Sequence, residues 1–241
     1  MLLIRWIRSV RLVMLRVRSK HRLLCGDSTD KADVDRLMDG AKADMVFTDP
    51  PYGIDVQTDR AGAARSRICE GNTFKKIAGD KDTKVALSSI EIARSLGAKC
   101  NIFWGGNYYD IEPSPNWIVW DKRVEENQKN GESDCELAYV DYKKTSSVRI
   151  FRHLWKGMIK ASEHGQARVH PTQKPIALAE WCFEKYGDPK TVLDLFLGSG
   201  STLIACEKTN RQCYGMEIDP HYCSVILKRY QDYCGGEVVC A

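Results

Sequence analysis

Short apolar runs alternate with amphipathic stretches along most of this chain, the pattern of an α/β domain with a mostly parallel sheet. Strands are predicted at Leu23–Cys25, at Ala43-Asp44-Met45-Val46-Phe47-Thr48, at Asn101–Trp104, at Asn116–Trp120, at 191–196 and at Gln212–Ile218. Helices are predicted between them, over about 29–38, 83–96, 175–186, from a glycine turn to about 209, and over 220–233. Three stretches break the rhythm. Residues 53–80 are polar, rich in Gly and Arg and weakly periodic, which marks a long loop of the kind that is usually functional. Residues 122–167 begin with crowded Asp, Glu, Lys and Asn and continue through short strand-like runs at Leu137–Tyr142 and Val148–Phe151. They end in a basic stretch with His153, Lys156, Lys160, His164 and Arg168, and read together as an insert or small subdomain.

The third exception is the start. Residues 1–20 hold Arg5, Arg8, Arg11, Arg16, Arg18 and Lys20 and no acid. Arginine recurs too often for a signal-peptide core or a membrane span. A basic amphipathic helix, a mitochondrial-type leader and a poorly structured extension all fit, and the third is preferred because a strand begins cleanly at His21. Length, 241 residues, allows one large domain with an insert. The net charge of +4 permits nucleic-acid binding without demanding it. The ten cysteines form no C-x-x-C pair, which removes zinc-ribbon and thioredoxin-like readings and favours reduced thiols in a cytoplasmic protein.

Candidate chemistry begins at Asp49-Pro50-Pro51-Tyr52. It ends a predicted buried strand, and ligands of open α/β sheets bind at that edge. Two prolines stiffen the turn and remove N–H donors. A carboxylate, a rigid carbonyl and an aromatic face suit a planar heterocycle bearing an amine, although a surface turn has the same composition. A second strand–glycine turn–helix unit runs from Val192 to Thr202 through Asp194 and Gly198-Ser199-Gly200. Leu203 stands where a dinucleotide fingerprint wants glycine, so a pyrophosphate site is disfavoured. Glu217, ending the next strand, is placed to accept both hydroxyls of a ribose. The third element, His170-Pro171-Thr172-Gln173-Lys174-Pro175, holds polar donors on a stiff turn and could equally be a plain helix entry.

These three elements in this order resemble the amino-methyltransferases of DNA, in particular the permuted β group with its catalytic half first. Cys25-Gly26-Asp27-Ser28 and Trp117-Ile118-Val119-Trp120-Asp121-Lys122 are similar to that group too. The resemblance covers roughly 21–233. It implies a Rossmann-like α/β fold with a seven-stranded, mostly parallel sheet and one reversed strand. It divides the chain into a catalytic half at 21–121, a target-recognition insert at 122–167, a cofactor half at 168–233 and a tail at 234–241. It implies S-adenosyl-L-methionine as cofactor, with Phe196, Gly198, Ser199 and Gly200 along its methionine part and Asp194 at its amino group. Glu217 would bind the ribose and Asp27 the adenine amine, with Thr172 and Lys174 closing over the methionine end.

At Asp49 the implied reaction is transfer of a methyl group to an exocyclic base amine. The amine would donate to the Asp49 carboxylate and the Pro50 carbonyl. Tyr52 would stack on a base flipped from double-stranded DNA. Adenine N6 is the favoured target because Asp stands at 49. Cytosine N4 is the rival within the family, and a catalytically silent DNA-binding subunit the rival outside it. The basic end of the insert and Arg60, Arg65, Arg67, Lys75 and Lys76 of the long loop are candidate phosphate contacts. No membrane partner is expected. Homodimerisation and a cognate nuclease are compatible with the resemblance but not readable from the residues.

Overall fold

In the computed structural model the apolar runs become neighbours in one sheet. The structure describes residues 12–16, 20–55, 74, 76–123, 133–156, 159–235 and 237–240. Along the chain come β1 (Leu12–Arg16), β2 (Lys20–Cys25), α1 (Lys31–Met38), β3 (Met45–Thr48), α2 (Lys84–Ser95), β4 (Cys100–Trp104), β5 (Trp117–Asp121), β6 (Cys135–Asp141) and β7 (Val148–Arg152). A small hairpin of β8 (Trp155–Lys156) and β9 (Ile159–Lys160) follows. Then come α3 (Ile176–Lys185), β10 (Thr191–Asp194), α4 (Ser201–Lys208), β11 (Gln212–Glu217), α5 (Pro220–Cys234) and β12 (Glu237–Cys240).

The sheet order is β12-β1-β2-β11-β10-β3-β4-β6-β5-β7. The implied seven strands are those from β2 to β5, in which β2, β11, β10, β3 and β4 are parallel and β6 alone is reversed, antiparallel to both β4 and β5. The α/β class and mostly parallel sheet are thus as implied, while β7 adds an eighth strand beyond β5 and β1 and β12 extend the opposite edge. Every residue of β3 and β4 is buried, as strands covered on both faces require. One layer packs α3, α4 and α5 against the sheet through Leu178, Phe183, Leu203, Ile226 and Tyr230, which meet Met45, Phe47, Ile102 and Trp104. The other packs α1 and α2 through Val34, Leu37, Ala86 and Ile90 against Val46, Phe103, Leu193 and Met216. Each large apolar side chain so buried contributes about 1.5–3 kcal/mol.

Three expectations change. Residues 12–16, predicted to lie in an unneeded extension, pair antiparallel with β2, and 237–240 of the predicted tail pair with β1. These two strands are more than 200 residues apart, so no local pattern announces their pairing. The rest of the basic start, 1–11 and 17–19, lies outside the described residues. Part of the predicted insert at 122–167 also belongs to the main sheet. β6 and β7 are strands of the main sheet, and the alternation that looks like a separate unit reflects sheet-edge positions with one solvated face, as in Val148 and Ile150 of β7. Of the long loop, 56–73 and 75 lie outside the described residues, with Arg60, Arg65, Arg67 and Lys75. Its two ends meet, since Gly53 N–H donates to Asp80 Oδ1 at 2.9 Å and Asp55 N–H to the Asp80 carbonyl at 2.8 Å. Among the described residues eight cysteines are free thiols, and no helix is long and apolar enough to cross a membrane.

Candidate active site

β10 and β3 are adjacent and parallel, with Leu193 opposite Val46. From β10 the chain returns to the sheet on one side, through α4 to β11; from β3 it returns on the other, through α2 to β4. That divergence opens a crevice at the strands' carboxyl ends. Asp194 ends β10 and Asp49 follows β3, so both carboxylates reach the same crevice. A cavity of about 210 Å³ occupies it, lined by Asp27, Asp49, Pro50, Pro51, Tyr52, Thr172, Lys174, Asp194, Phe196, Gly198, Ser199 and Glu217. Of the predicted site residues only Gly200 stays off the wall. It is the left-handed residue at which α4 begins.

The glycine-turn side is built by backbone hydrogen bonds. Glu217 accepts from Gly198 N–H at 3.0 Å and from Asp219 N–H at 2.9 Å. Burial pushes its carboxyl up to about 7 against these bonds. Asp194 accepts from Thr48 Oγ1 at 2.9 Å, from Phe196 N–H at 3.1 Å and from the Thr202 side chain. Burial again dominates and raises it to about 6. Gly198 has φ +52°, and a Cβ there would sit 3.3 Å from the His170 ring, which packs on Tyr222. Arg229 braces the turn from behind. It donates to the Ser199 carbonyl at 2.6 Å and pairs with buried Glu163 at 3.1 Å, which accepts from the Ile176 N–H at the start of α3. Asp27 sits exposed on the cavity rim, its Oδ1 accepting from the Thr29 N–H and hydroxyl.

The Asp49 side is built from side chains. Tyr52 hydroxyl donates to Asp49 Oδ1 at 2.7 Å, and the Lys174 ammonium pairs with Asp49 Oδ2. The same ammonium reaches Glu136 Oε2 at 3.2 Å and Tyr52 hydroxyl at 3.2 Å, while Lys122 donates to Glu136 Oε1 at 3.0 Å. Burial raises the Asp49 carboxyl above its ordinary value, with repulsion from Glu136 adding to it and Lys174 opposing. Burial also acts on Glu136, but Lys174 and Lys122 outweigh it and hold that acid down at about 2. For Lys174, burial disfavours the charge and the two carboxylates overcome it, raising its value. Tyr52 stacks on Tyr108 with centroids 5.1 Å apart. Its room depends on Gly105, where a Cβ would lie 2.2 Å from the Tyr52 ring.

Several predicted roles shift. Lys174, predicted to close over the methionine end, points to Asp49 instead, because two carboxylates lie within reach of its long stem. Its backbone stays beside the glycine turn, where Ser201 Oγ donates to the Lys174 carbonyl at 2.7 Å. Thr172 lines the cavity near that turn, its hydroxyl 3.2 Å from His170 Nδ1. The Pro50 carbonyl, predicted free for a substrate amine, shares the single proton of the Tyr109 hydroxyl with the Trp104 carbonyl, at 3.0 and 3.1 Å, and keeps at least one lone pair. Lys160, a predicted phosphate contact, is 8% exposed and donates to the Gln166 carbonyl over the Trp155 ring. The side chain of Lys156 lies outside the described residues. The residues missed from sequence are Glu136, Lys122, Tyr108, Tyr109 and Thr48. Lys122 ends the Trp117–Lys122 segment and so carries a local signal; Glu136 stands in a crowd of acids with nothing local to single it out.

A family model described as DNA methylase, covering N6 and N4 methyltransferases, matches residues 98–228. That span holds Glu136, the 170–175 turn, the glycine turn and Glu217. Type II methyltransferase M2.DpnII of Streptococcus pneumoniae is 22% identical over 230 residues, covering 78% of this chain and 82% of its own. The solved M1.HpyAVI–SAM complex superposes with TM-score 0.56 at 20% identity, covering 86% of this chain and 98% of the other. The PvuII DNA methyltransferase, described as cytosine-N4-specific, gives 0.55 at 16% identity, covering 88% and 86%. Both superpositions establish a shared fold. With the family model matching more than half of its length, the chain belongs to the DNA methylase family of N6 and N4 methyltransferases.

Proposed function

We propose that this DNA methylase moves a methyl group from S-adenosylmethionine to the exocyclic N6 amine of an adenine flipped out of duplex DNA. The observation that carries methyl transfer is the shared cavity onto which Asp49 and the Gly198 turn both open from adjacent strands, and the choice of adenine rests on Asp at position 49. The residues fit the cofactor: a Cβ at Gly198 would crowd the His170 ring in a left-handed backbone, so the turn stays bare, and Glu217 and Asp194 are acids fixed by backbone N–H groups. Glu217 would hold the ribose hydroxyls and Asp27 the adenine amine. Asp194 would meet the amino group, with Thr172, Phe196, Gly198 and Ser199 along the methionine part. When bound, the cofactor supplies a methyl group already activated on a sulfonium.

The chain's own work is positioning and electrostatics. The substrate amine would donate to Asp49 and to a lone pair of the Pro50 carbonyl, which turns the nitrogen lone pair away from both acceptors. As the N–C bond forms and the S–C bond breaks, positive charge grows on nitrogen beside the Asp49 carboxylate. The nitrogen then sheds one proton, and Asp49, whose carboxyl burial has raised, is the group in reach to take it. Tyr52 packs against the base; its stacking is worth about 1–3 kcal/mol.

The test is to methylate genomic DNA with the purified protein and sequence the modified bases. N6-methyladenine at a fixed motif is the expected result. N4-methylcytosine would replace the target while keeping the chemistry, and DNA binding with neither cofactor binding nor methyl incorporation would overturn catalysis in favour of a silent subunit.

A further inference from the structure

Both oxygens of Asp49 are engaged, Oδ1 by the Tyr52 hydroxyl and Oδ2 by the Lys174 ammonium. A carboxylate neutralised by a lysine does little for positive charge growing on a substrate nitrogen, since the cation repels what the anion attracts. Yet Lys174 touches a second carboxylate, Glu136 Oε2, at 3.2 Å. We propose that Glu136 is a positioning residue that takes the Lys174 ammonium from Asp49 when the acceptor amine enters, freeing Asp49 Oδ2 for the substrate. This rests on the methyl-transfer reading above.

The surroundings suit a short transfer. Lys122 donates to Glu136 Oε1 and so fixes that carboxylate with Oε2 toward Lys174. The Lys174 ammonium lies 5.6 Å from the centre of the Tyr52 ring and 5.7 Å from that of Trp104, so aromatic faces flank the cation while it shifts. The Lys174 main chain is tied to Ser201, so movement is confined to the side chain. Two acids and two lysines balance in charge, and the amine's arrival redistributes contacts within the set without expelling an ion.

The test uses the full-length protein and a duplex oligonucleotide carrying the motif found by genomic sequencing. Glu136→Gln keeps the shape and removes the charge. Its kcat is expected to fall on the order of 10²-fold, since a misplaced reacting group costs that much. KM for S-adenosylmethionine should stay within about twofold of wild type, the cofactor lying on the far wall of the cavity, and Tm should move by no more than about 4 °C. Glu136→Asp, which restores the charge, should recover at least about tenfold of the lost kcat. A Glu136→Gln kcat within twofold of wild type overturns the proposal. So does a loss that Glu136→Asp leaves unchanged, or one matched by loss of cofactor binding, because either marks a packing role. Absence of methylation by the wild-type protein would be the failure of the functional reading instead, and it is seen before any variant is made.

Discussion

The two walls of the cavity are made in different ways. On the glycine-turn wall, Glu217 and Asp194 are satisfied mainly by main-chain N–H groups and a buried threonine, within or next to a single strand–turn–helix unit. On the Asp49 wall, Asp49, Tyr52, Glu136, Lys122 and Lys174 hold one another through side chains drawn from four separate stretches of chain. Main-chain bonds hold the first wall in one arrangement. Side-chain ion pairs on the second can exchange partners. The contrast suits a reaction in which one ligand is gripped while the other is approached and released.

Removing the centre of the side-chain wall should have the largest effect. Asp49→Ala is expected to lower methyl transfer by at least about 10²–10³-fold while leaving cofactor affinity nearly intact; radiolabelled methyl incorporation beside calorimetric titration with cofactor would show it. Equal loss of both would mean that the walls are one structural unit. Gly105→Ala comes next. Its Cβ would fall 2.2 Å from the Tyr52 ring at φ +73°, so the ring must move and turnover should drop on the order of 10²-fold. Gly198→Ala is the matching insult to the fixed wall, with φ +52° and the His170 ring at 3.3 Å. Left-handed strain of about 1–2 kcal/mol should appear there mainly as weaker cofactor binding, measured by the same titration, with DNA affinity unchanged.

Tyr52 sharpens the contrast further. Tyr52→Phe keeps the ring stacked on Tyr108 and loses the hydroxyl's bonds to Asp49 and Lys174, so its rate loss should be smaller than that of Tyr52→Ala, by about 1–3 kcal/mol in activation terms. A ranking indifferent to aromaticity, read from single-turnover rates, would remove stacking from the mechanism.

The smallest effect is on stability against pH, and here the walls have opposite signs. Burial raises Glu217 from 4.5 to about 7. The folded state therefore binds more protons than the unfolded one between those values, and this group's contribution weakens as pH rises through them. Glu136 is held at about 2 by its lysines, so its contribution is present above about 4.5 and fades as pH falls toward 2. Urea unfolding at pH 4.5 and 8 should find Glu217→Gln relatively more stable against wild type at the higher pH. Between pH 2.5 and 6, Glu136→Gln should differ most from wild type at the upper end. The same sign for both variants would show that the walls titrate as one.

What could be read in advance follows the same division. The parallel strands β3, β4, β10 and β11 were legible because strands buried on both faces are written as mostly apolar runs. The glycine turn, Glu217 and Asp49 were legible because each stands at a fixed offset from such a run. The starts of α1 and α5 fall within two residues of the expected ones, and there the Asp30 and Asp219 carboxylates cap the helices. The pairing of β1 with β12 was not, since partners at opposite ends of the chain carry no local sign of each other. Nor was the place of β6, a reversed strand whose neighbours β4 and β5 precede it in the chain.

By itself, then, the sequence determined the α/β layering, the two strand-end acids and the stiff Asp49–Tyr52 turn, all consequences of local periodicity and backbone chemistry. Only the tertiary structure decided that Lys174 faces Asp49 in place of the methionine end, that Glu136 stands within reach of the same ammonium, and that the Tyr109 hydroxyl sits between the Pro50 and Trp104 carbonyls. The reason is physical. A buried ammonium goes wherever folding brings carboxylates together, and β6 delivers Glu136 to that point from 87 residues beyond Asp49.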